Sequence, residues 1–432
     1  MIKPDTLCMA PWTHTYLSPQ TERRMCCASR EPAQNFQQYI DTKSGTGKYI
    51  PITLDDHWNG EHMRSVRLRM MRGETLPECE VCNDKLLNTS VYRSYFNQLF
   101  GHKYNEAMEK TGSDGSTDMK PVSWDYRFSN LCNFKCRMCG DMLSSAWESE
   151  QRQHNMINWH DPKNNWMRPE VKKQIEQFQD TQIEAEFSQA VEEHRVEEVY
   201  WVGGEPLMYE QHWRYMQRII ELGDGPNVYA RYNTNLSRIN YKGINLYNDI
   251  LSGLRDWQIC ASIDGTGSIG EYIRTGLDYN EWLENFRQGV AIASHRRQMR
   301  IDFTLTLPGL FEIINIQRLA EEEKVDILAK VIFSFSPDIV MSPLALPRSI
   351  LDPWVDETIG RLPSGENPLK DILIQLKTRP TFEEQWPNDY RVGLCKGKAR
   401  IERLEQIRND SYTMRNILSA KPEVLEWWDS IE

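Results

Sequence analysis

The chain has 432 residues, 40% hydrophobic and 26% charged, which suits a globular protein large enough to bury a substantial core. A formal net charge of −11 argues against a broad electrostatic grip on nucleic acid or anionic lipid, and no apolar run approaches the length of a membrane span. The start, MIKPDTLCMAPW, lacks a basic segment leading into an apolar one, so no signal peptide is expected and a cytoplasmic protein is.

Residues up to about 120 read as irregular, with cysteines set among turns. Cys8 lies in LCMAPW, and LSPQTERRMCC reads as a β-hairpin ending in Cys26 and Cys27. EHMRSVRLRMMRGE has helical character and stops at Gly73, and LPECEVCND then sets Cys79 and Cys82 in a C-x-x-C knuckle. The stretches DTKSGTGKYIPI and KTGSDGSTDMKP interrupt this region, and STDMKP reads as a linker.

From residue 122 strands and helices alternate. The β-rich runs are VSWDYRFS, VEEVYWVGG, NVYARYNTN, WQICASIDG, RIDFTLTL and VDILAKVIFSF. Between them come helical stretches at Glu170 to Glu193, Tyr209 to Leu222, Tyr279 to Ala293 and Phe311 to Glu323. Six strands separated by helices call for a parallel sheet with crossover helices. Right-handed crossovers would curl it into a barrel or a partial one, although periodicity alone also fits a flat sheet. Residues 141–190 are long for one crossover and read as a helical insertion; two further helices after Asp389 close the chain. The expected division is 1–120, 121–340 and a C-terminal extension at 341–432.

Eight of the ten cysteines precede residue 140. Cytoplasmic cysteines more often ligate metals or catalyse than form disulfides. In NLCNFKCRMCGD, Cys132, Cys136 and Cys139 crowd three thiols behind the first strand of the alternating region, where parallel α/β folds place ligand sites. Three thiolates on a four-iron cluster would leave one iron open to a small chelating ligand. The alternative is a zinc site completed by a distant residue. At the front, the spacing supplies four ligands and one spare thiol, for zinc or for an iron–sulfur cluster. The nine histidines show no ligand spacing and read as surface or packing residues.

C-x-x-x-C-x-x-C after the first strand of a (β/α) repeat resembles the signature of the radical S-adenosylmethionine (radical SAM) superfamily. That resemblance implies a partial (β/α)6 TIM barrel and a [4Fe–4S] cluster on Cys132, Cys136 and Cys139. The amino and carboxylate groups of S-adenosylmethionine would occupy the fourth iron. Met138 stands where the family usually has an aromatic beside the adenine, and methionine also packs against rings. In WVGGEP, Gly203, Gly204 and Glu205 match the family's Gly-Gly-Glu motif for the amino group. The resemblance further implies Asn233 or Asn235 for the ribose hydroxyls, with Ser262 and Arg274 for the carboxylate and ribose. Asp264 reads instead as an Asx-type turn with Gly265, and Cys260 as a small core residue.

The front cysteines resemble twitch domains, the shortened relatives of SPASM domains, which hold an auxiliary [4Fe–4S] cluster. Cys8, Cys26, Cys79 and Cys82 fall in the ligand roles, with Cys26 preferred to Cys27 by the register of the hairpin. Thr21 replaces the usual hairpin glycine, and the segment precedes the barrel instead of following it. The activity so implied is reductive cleavage of S-adenosylmethionine to a 5′-deoxyadenosyl radical, then hydrogen abstraction from a substrate C–H bond. The auxiliary cluster would accept an electron in a net oxidation. Peptide or protein modification is the alternative within the superfamily, followed by nucleotide cyclisation. From another class comes a zinc-binding interaction protein on an α/β scaffold. Expected partners are a small-molecule or peptide substrate and a low-potential donor such as flavodoxin or ferredoxin, with no membrane and no nucleic acid.

Overall fold

The computed structural model describes residues 6–31, 49–85 and 92–432; most of the Gly- and Ser-containing stretch after Asp41 lies outside them. The chain forms two compact units, the first from residues 1–132, 148–232 and 244–257, the second from 133–147, 233–243 and 258–432. Both mix strands with helices. Among the described residues no helix is long and apolar enough to cross a membrane.

In the first unit the strands are β1 (His14–Leu17), β2 (Arg23–Arg24), β3 (Ser123–Tyr126), β4 (Glu198–Trp201) and β5 (Tyr229–Thr234), whose last two residues pass into the second unit. They lie in the order β5-β4-β3-β1-β2. All these pairings are parallel except β1–β2, the hairpin expected from LSPQTERRMCC. Its turn closes through Ser18 and Glu22, and Thr21 adopts a φ of 63°, the left-handed region that favours glycine. The front segment thus contributes to the sheet: His14 pairs with Ser123 and Tyr16 with Asp125.

Side chains alternate across each strand. On one face Trp124, Tyr126, Trp201 and Tyr232 are buried, with Phe187 edge-on to Trp124 and Trp201, and His212 edge-on to Trp201 and Tyr232. Phe187 comes from a helix (Glu184–Glu192) and His212 from another (Glu210–Glu221), which buries Trp213, Met216 and Ile219 on one stripe. The opposite face is polar and carries His14, Tyr16, Asp125, Glu198, Tyr200 and Arg231. A helix at Glu61–Met71, here α1, ends at Arg72 as the sequence predicts, with Gly73 at a φ of 75°. Helices α2 (Glu80–Lys85) and α3 (Tyr92–Phe100) follow. One buried knot ties hairpin to sheet: Arg23 donates to Glu186 (2.6 Å), Tyr126 (3.0 Å) and the Ile52 carbonyl (2.6 Å).

The second unit holds β6 (Asp256–Ser262, entering from the first unit), β7 (Met299–Leu305) and β8 (Asp326–Val331), parallel in the order β8-β7-β6. Helices α4 (Tyr279–Ile292) and α5 (Ile313–Glu323) fall where the pattern predicts them. The C-terminal extension is helical from Arg348 onward, and its longest helix, α6, runs Tyr390–Arg408. Helices at Arg348–Arg361 and Pro368–Thr378 escaped the sequence reading. Cys260 on β6 is buried, as expected of a core residue.

Candidate metal and nucleotide sites

Cys8, Cys26, Cys79 and Cys82 line one cavity of the first unit. Three short segments bring them there. Asn97 of α3 accepts from the Met9 amide (2.9 Å) and donates to the Leu7 carbonyl (2.8 Å), fixing the backbone on both sides of Cys8. The amide of Arg30, just past the hairpin, donates to the Glu78 carbonyl (3.0 Å) and so joins Cys26 to the knuckle. Cys79 lies in a 3-10 turn leading into α2, which carries Cys82. Burial pushes the Cys8 thiol up to about 12 and Cys79 to about 11, so a metal must displace protons to bind here. Among the described residues no three His, Cys, Asp or Glu side chains meet at the geometry of one metal ion.

Cys27 parts from its neighbour. Its electrostatic partners are Asp125, Arg127 and Arg231, and it shares a hydrogen bond with Tyr92. Asp125 and Arg231 lie on the polar side of the sheet. There Glu198, 1% exposed, accepts from Arg231 Nε (2.8 Å), Tyr95 (3.0 Å) and Ser123. Arg231 lies between the Tyr95 and Tyr200 rings, 4.1 Å from each centroid. Arg127 grips Asp125 with two nitrogens (3.1 and 3.2 Å) and covers the Tyr16 ring. Burial drives the Glu198 carboxyl upward, but Arg231 and the Ser123 hydroxyl outweigh it and leave it below the usual range. Burial also pushes His14 down to about 4, so the ring is neutral.

The Gly-Gly-Glu turn packs on the entry to the three-cysteine loop. A Cβ on Gly204 would lie 2.2 Å from the Leu131 carbonyl oxygen, one residue before Cys132, so only glycine fits. Glu205 donates its amide to that same oxygen (2.7 Å). Its carboxylate is buried and caps the Leu207 amide at 3.1 Å. Gly203 adopts a φ of 128°, and Tyr209 links the Gly204 amide (2.8 Å) to the Ser129 carbonyl (2.6 Å).

Cys132 belongs to the first unit; Cys136 and Cys139 belong to the second. There the loop is held by its backbone. The Lys135 and Arg137 amides donate to the Thr275 and Ile273 carbonyls (both 2.8 Å), and Trp147 donates its indole N–H to the Cys136 carbonyl (2.7 Å). A Cβ on Gly276, whose φ is 112°, would meet Phe134 Cδ1 at 2.9 Å. The Arg137 guanidinium stacks on Tyr272, 3.7 Å from the centroid, and pairs with Asp410 just beyond α6. Tyr272 donates to Glu405 of that helix (2.6 Å). Met138 is half-buried on this loop.

The remaining expected residues each have protein partners. Arg274 pairs with Asp264 (Nε to Oδ2, 2.7 Å), and Asp264 also accepts the Thr304 amide (2.8 Å). This corrects the Asx-turn reading of Asp264: its carboxylate is a buried counter-ion. The pair lies within electrostatic reach of Cys136. Asn235 donates to Asn133 (2.9 Å) beside the cysteine loop, and Asn233 donates to Asp302 (2.8 Å). Asp302 also binds Lys330 (2.7 and 2.8 Å) and lies 3.5 Å from the Ser262 hydroxyl. The sequence reading missed Asp302, Lys330, Asp125, Glu198 and Arg231. Their signal is a charged residue at an alternate position inside a β-rich run.

No family model matches this sequence, and no curated protein matches it. The crystal structure of Streptococcus suis SuiB bound to S-adenosylmethionine overlaps 77% of this chain and 68% of its own, at 15% identity and a TM-score of 0.35. The structure of Streptococcus suis SuiB bound to precursor peptide SuiA overlaps 77% and 69%, at 14% identity and a TM-score of 0.35. This is a coarse likeness, and no residue assignment is drawn from it.

Proposed function

We propose that this chain is a radical SAM enzyme with an auxiliary iron–sulfur cluster. The observation that carries the proposal is the Cys132, Cys136 and Cys139 spacing behind β3, with Gly204 held against the loop at Leu131. Those three cysteines would hold a [4Fe–4S] cluster, leaving one iron for the amino and carboxylate groups of S-adenosylmethionine. The chemistry so supplied is reductive cleavage of the sulfonium to a 5′-deoxyadenosyl radical, which takes hydrogen from a substrate C–H bond.

The chain's own residues have supporting tasks. Trp147 and the segment at Ile273 and Thr275 hold the backbone of the loop that carries Cys136 and Cys139. Burial pushes the Cys136 thiol up to about 12, and Arg274, fixed by Asp264, places a positive charge beside it that offsets part of that rise. Cys8, Cys26, Cys79 and Cys82 would hold the second cluster with every iron ligated by protein, which suits an electron acceptor in a net oxidation.

A second reading, peptide or protein modification, is favoured by one feature. Just beyond β8, Phe333 and Phe335 stack in parallel, 6.1 Å between centroids, while 74% and 80% exposed. Exposed aromatic pairs of this kind mark interaction surfaces for larger partners. Anaerobic reconstitution followed by dithionite and S-adenosylmethionine tests the main proposal. 5′-Deoxyadenosine should form; a cluster-loaded protein that leaves the co-substrate intact would contradict it. For the second reading, changing Phe333 and Phe335 to serine should weaken turnover of a peptide substrate and leave substrate-free cleavage unchanged.

A further inference from the structure

Arg93 is a buried cation for which the chemistry above has no use. It lies near the start of α3, 4% exposed, and lines the cavity of Cys8, Cys26, Cys79 and Cys82. Asn83, next to Cys82 on α2, accepts from its Nη2 at 2.8 Å and donates to the Leu76 carbonyl at 3.2 Å. The guanidinium is thus fixed by the helix that carries part of the cysteine knuckle. Its Nε and Nη1 are buried without an oxygen or nitrogen partner, and the group faces the Cys8 and Cys79 sulfurs, sharing a hydrogen bond with Cys79. A neutral thiol is a weak acceptor, so it leaves a buried guanidinium poorly matched. An anionic occupant of the cavity would match it.

We infer that Arg93 positions and tunes the auxiliary cluster, its Nε and Nη1 donating hydrogen bonds to the cluster's sulfurs. The inference rests on the iron–sulfur reading of the front cysteines. Hydrogen bonds to sulfur and nearby positive charge stabilise the more negative, reduced state and raise the reduction potential. One group opposes it. Glu78 lines the same cavity with a buried, unpartnered Oε2, and its Oε1 lies 3.7 Å from Arg69. Arg93 and Glu78 therefore act on the potential with opposite signs.

The test uses the full chain carrying Cys136→Ala, so that only the front cluster reports in anaerobic potentiometry followed by electron paramagnetic resonance. Arg93→Gln should lower the midpoint potential, Arg93→Lys should lower it less because charge remains while the planar fork is lost, and Glu78→Gln should raise it. If Arg93→Gln keeps its circular dichroism yet fails to hold iron while Arg93→Lys holds it, the positioning role is supported. If Arg93→Gln does not fold, Arg93→Lys alone decides by the same shift. Midpoints equal to the parent's in both Arg93 variants would overturn the inference and leave the cluster assignment standing. Zinc in the parent in place of iron and sulfide would overturn the cluster assignment itself, and this inference with it.

Discussion

The two cysteine groups are built in opposite ways. The front cavity gathers four thiols from three segments far apart in sequence, and its order depends on the tertiary packing of the hairpin, α2 and α3. The loop after β3 carries its three thiols within eight positions and is held by backbone hydrogen bonds and close glycine contacts. A four-thiol set can close the coordination of a cluster. A three-thiol set cannot. The first suits electron storage and the second an exchangeable ligand.

Substitutions can break that contrast. The largest expected effect is that of Cys136→Ala, which should abolish formation of 5′-deoxyadenosine while the front cluster persists; chromatography of quenched reactions measures it. Next, Cys26→Ala should remove about four irons, whereas Cys27→Ala should retain them, because Cys26 lines the cavity with the other three thiols and Cys27 is not among its lining residues. Equal iron loss in both variants would erase the distinction between the neighbouring thiols.

Gly204→Ala should destabilise the protein by about 1–3 kcal/mol through its clash with Leu131 and impair loading of the loop cluster. Gly140→Ala, within the same loop but with nothing near its Cβ position, should stay within about 0.5 kcal/mol of the parent. Urea melts and iron content check both. The smallest effect concerns pH. Burial lowers His14 and His57 to about 4 and His212 to about 3 from an ordinary 6.5. The unfolded chain therefore binds more protons than the fold between those values. The stability these rings contribute is whole above pH 6.5 and declines as pH falls towards 4, by roughly 1–2 kcal/mol per ring at pH 5. All three lie in the first unit, so melts of metal-free protein at pH 7 and pH 5 should show the loss there. No change between the two would contradict the neutral, buried assignment.

Much of the scaffold was legible because period-2 alternation and intervening helical runs are local signals: β3 to β8 match the six β-rich runs, with β6 and β7 each starting one residue earlier. The parallel pairing of β1 with β3 was not. Four residues, HTYL, carry little pattern, and their partner lies more than a hundred positions away. The cysteines announced themselves by spacing, and Thr21 at a positive φ fits the hairpin register that favoured Cys26. Arg93 left no trace, since an arginine at the start of an amphipathic helix looks like any solvated cation until its cavity is known. Asp302 and Lys330 were visible as charges inside strands, but only register shows that they meet. Arg274 stood out by its motif, but its buried counter-ion Asp264 was read as a turn residue.

Metal and sulfide analysis of anaerobically purified parent and Cys136→Ala proteins tests the central claim most directly. The account expects about eight irons and eight acid-labile sulfides per parent chain, falling to about four of each in the variant. Zinc without sulfide in the parent, or loss of all iron in the variant, would contradict it.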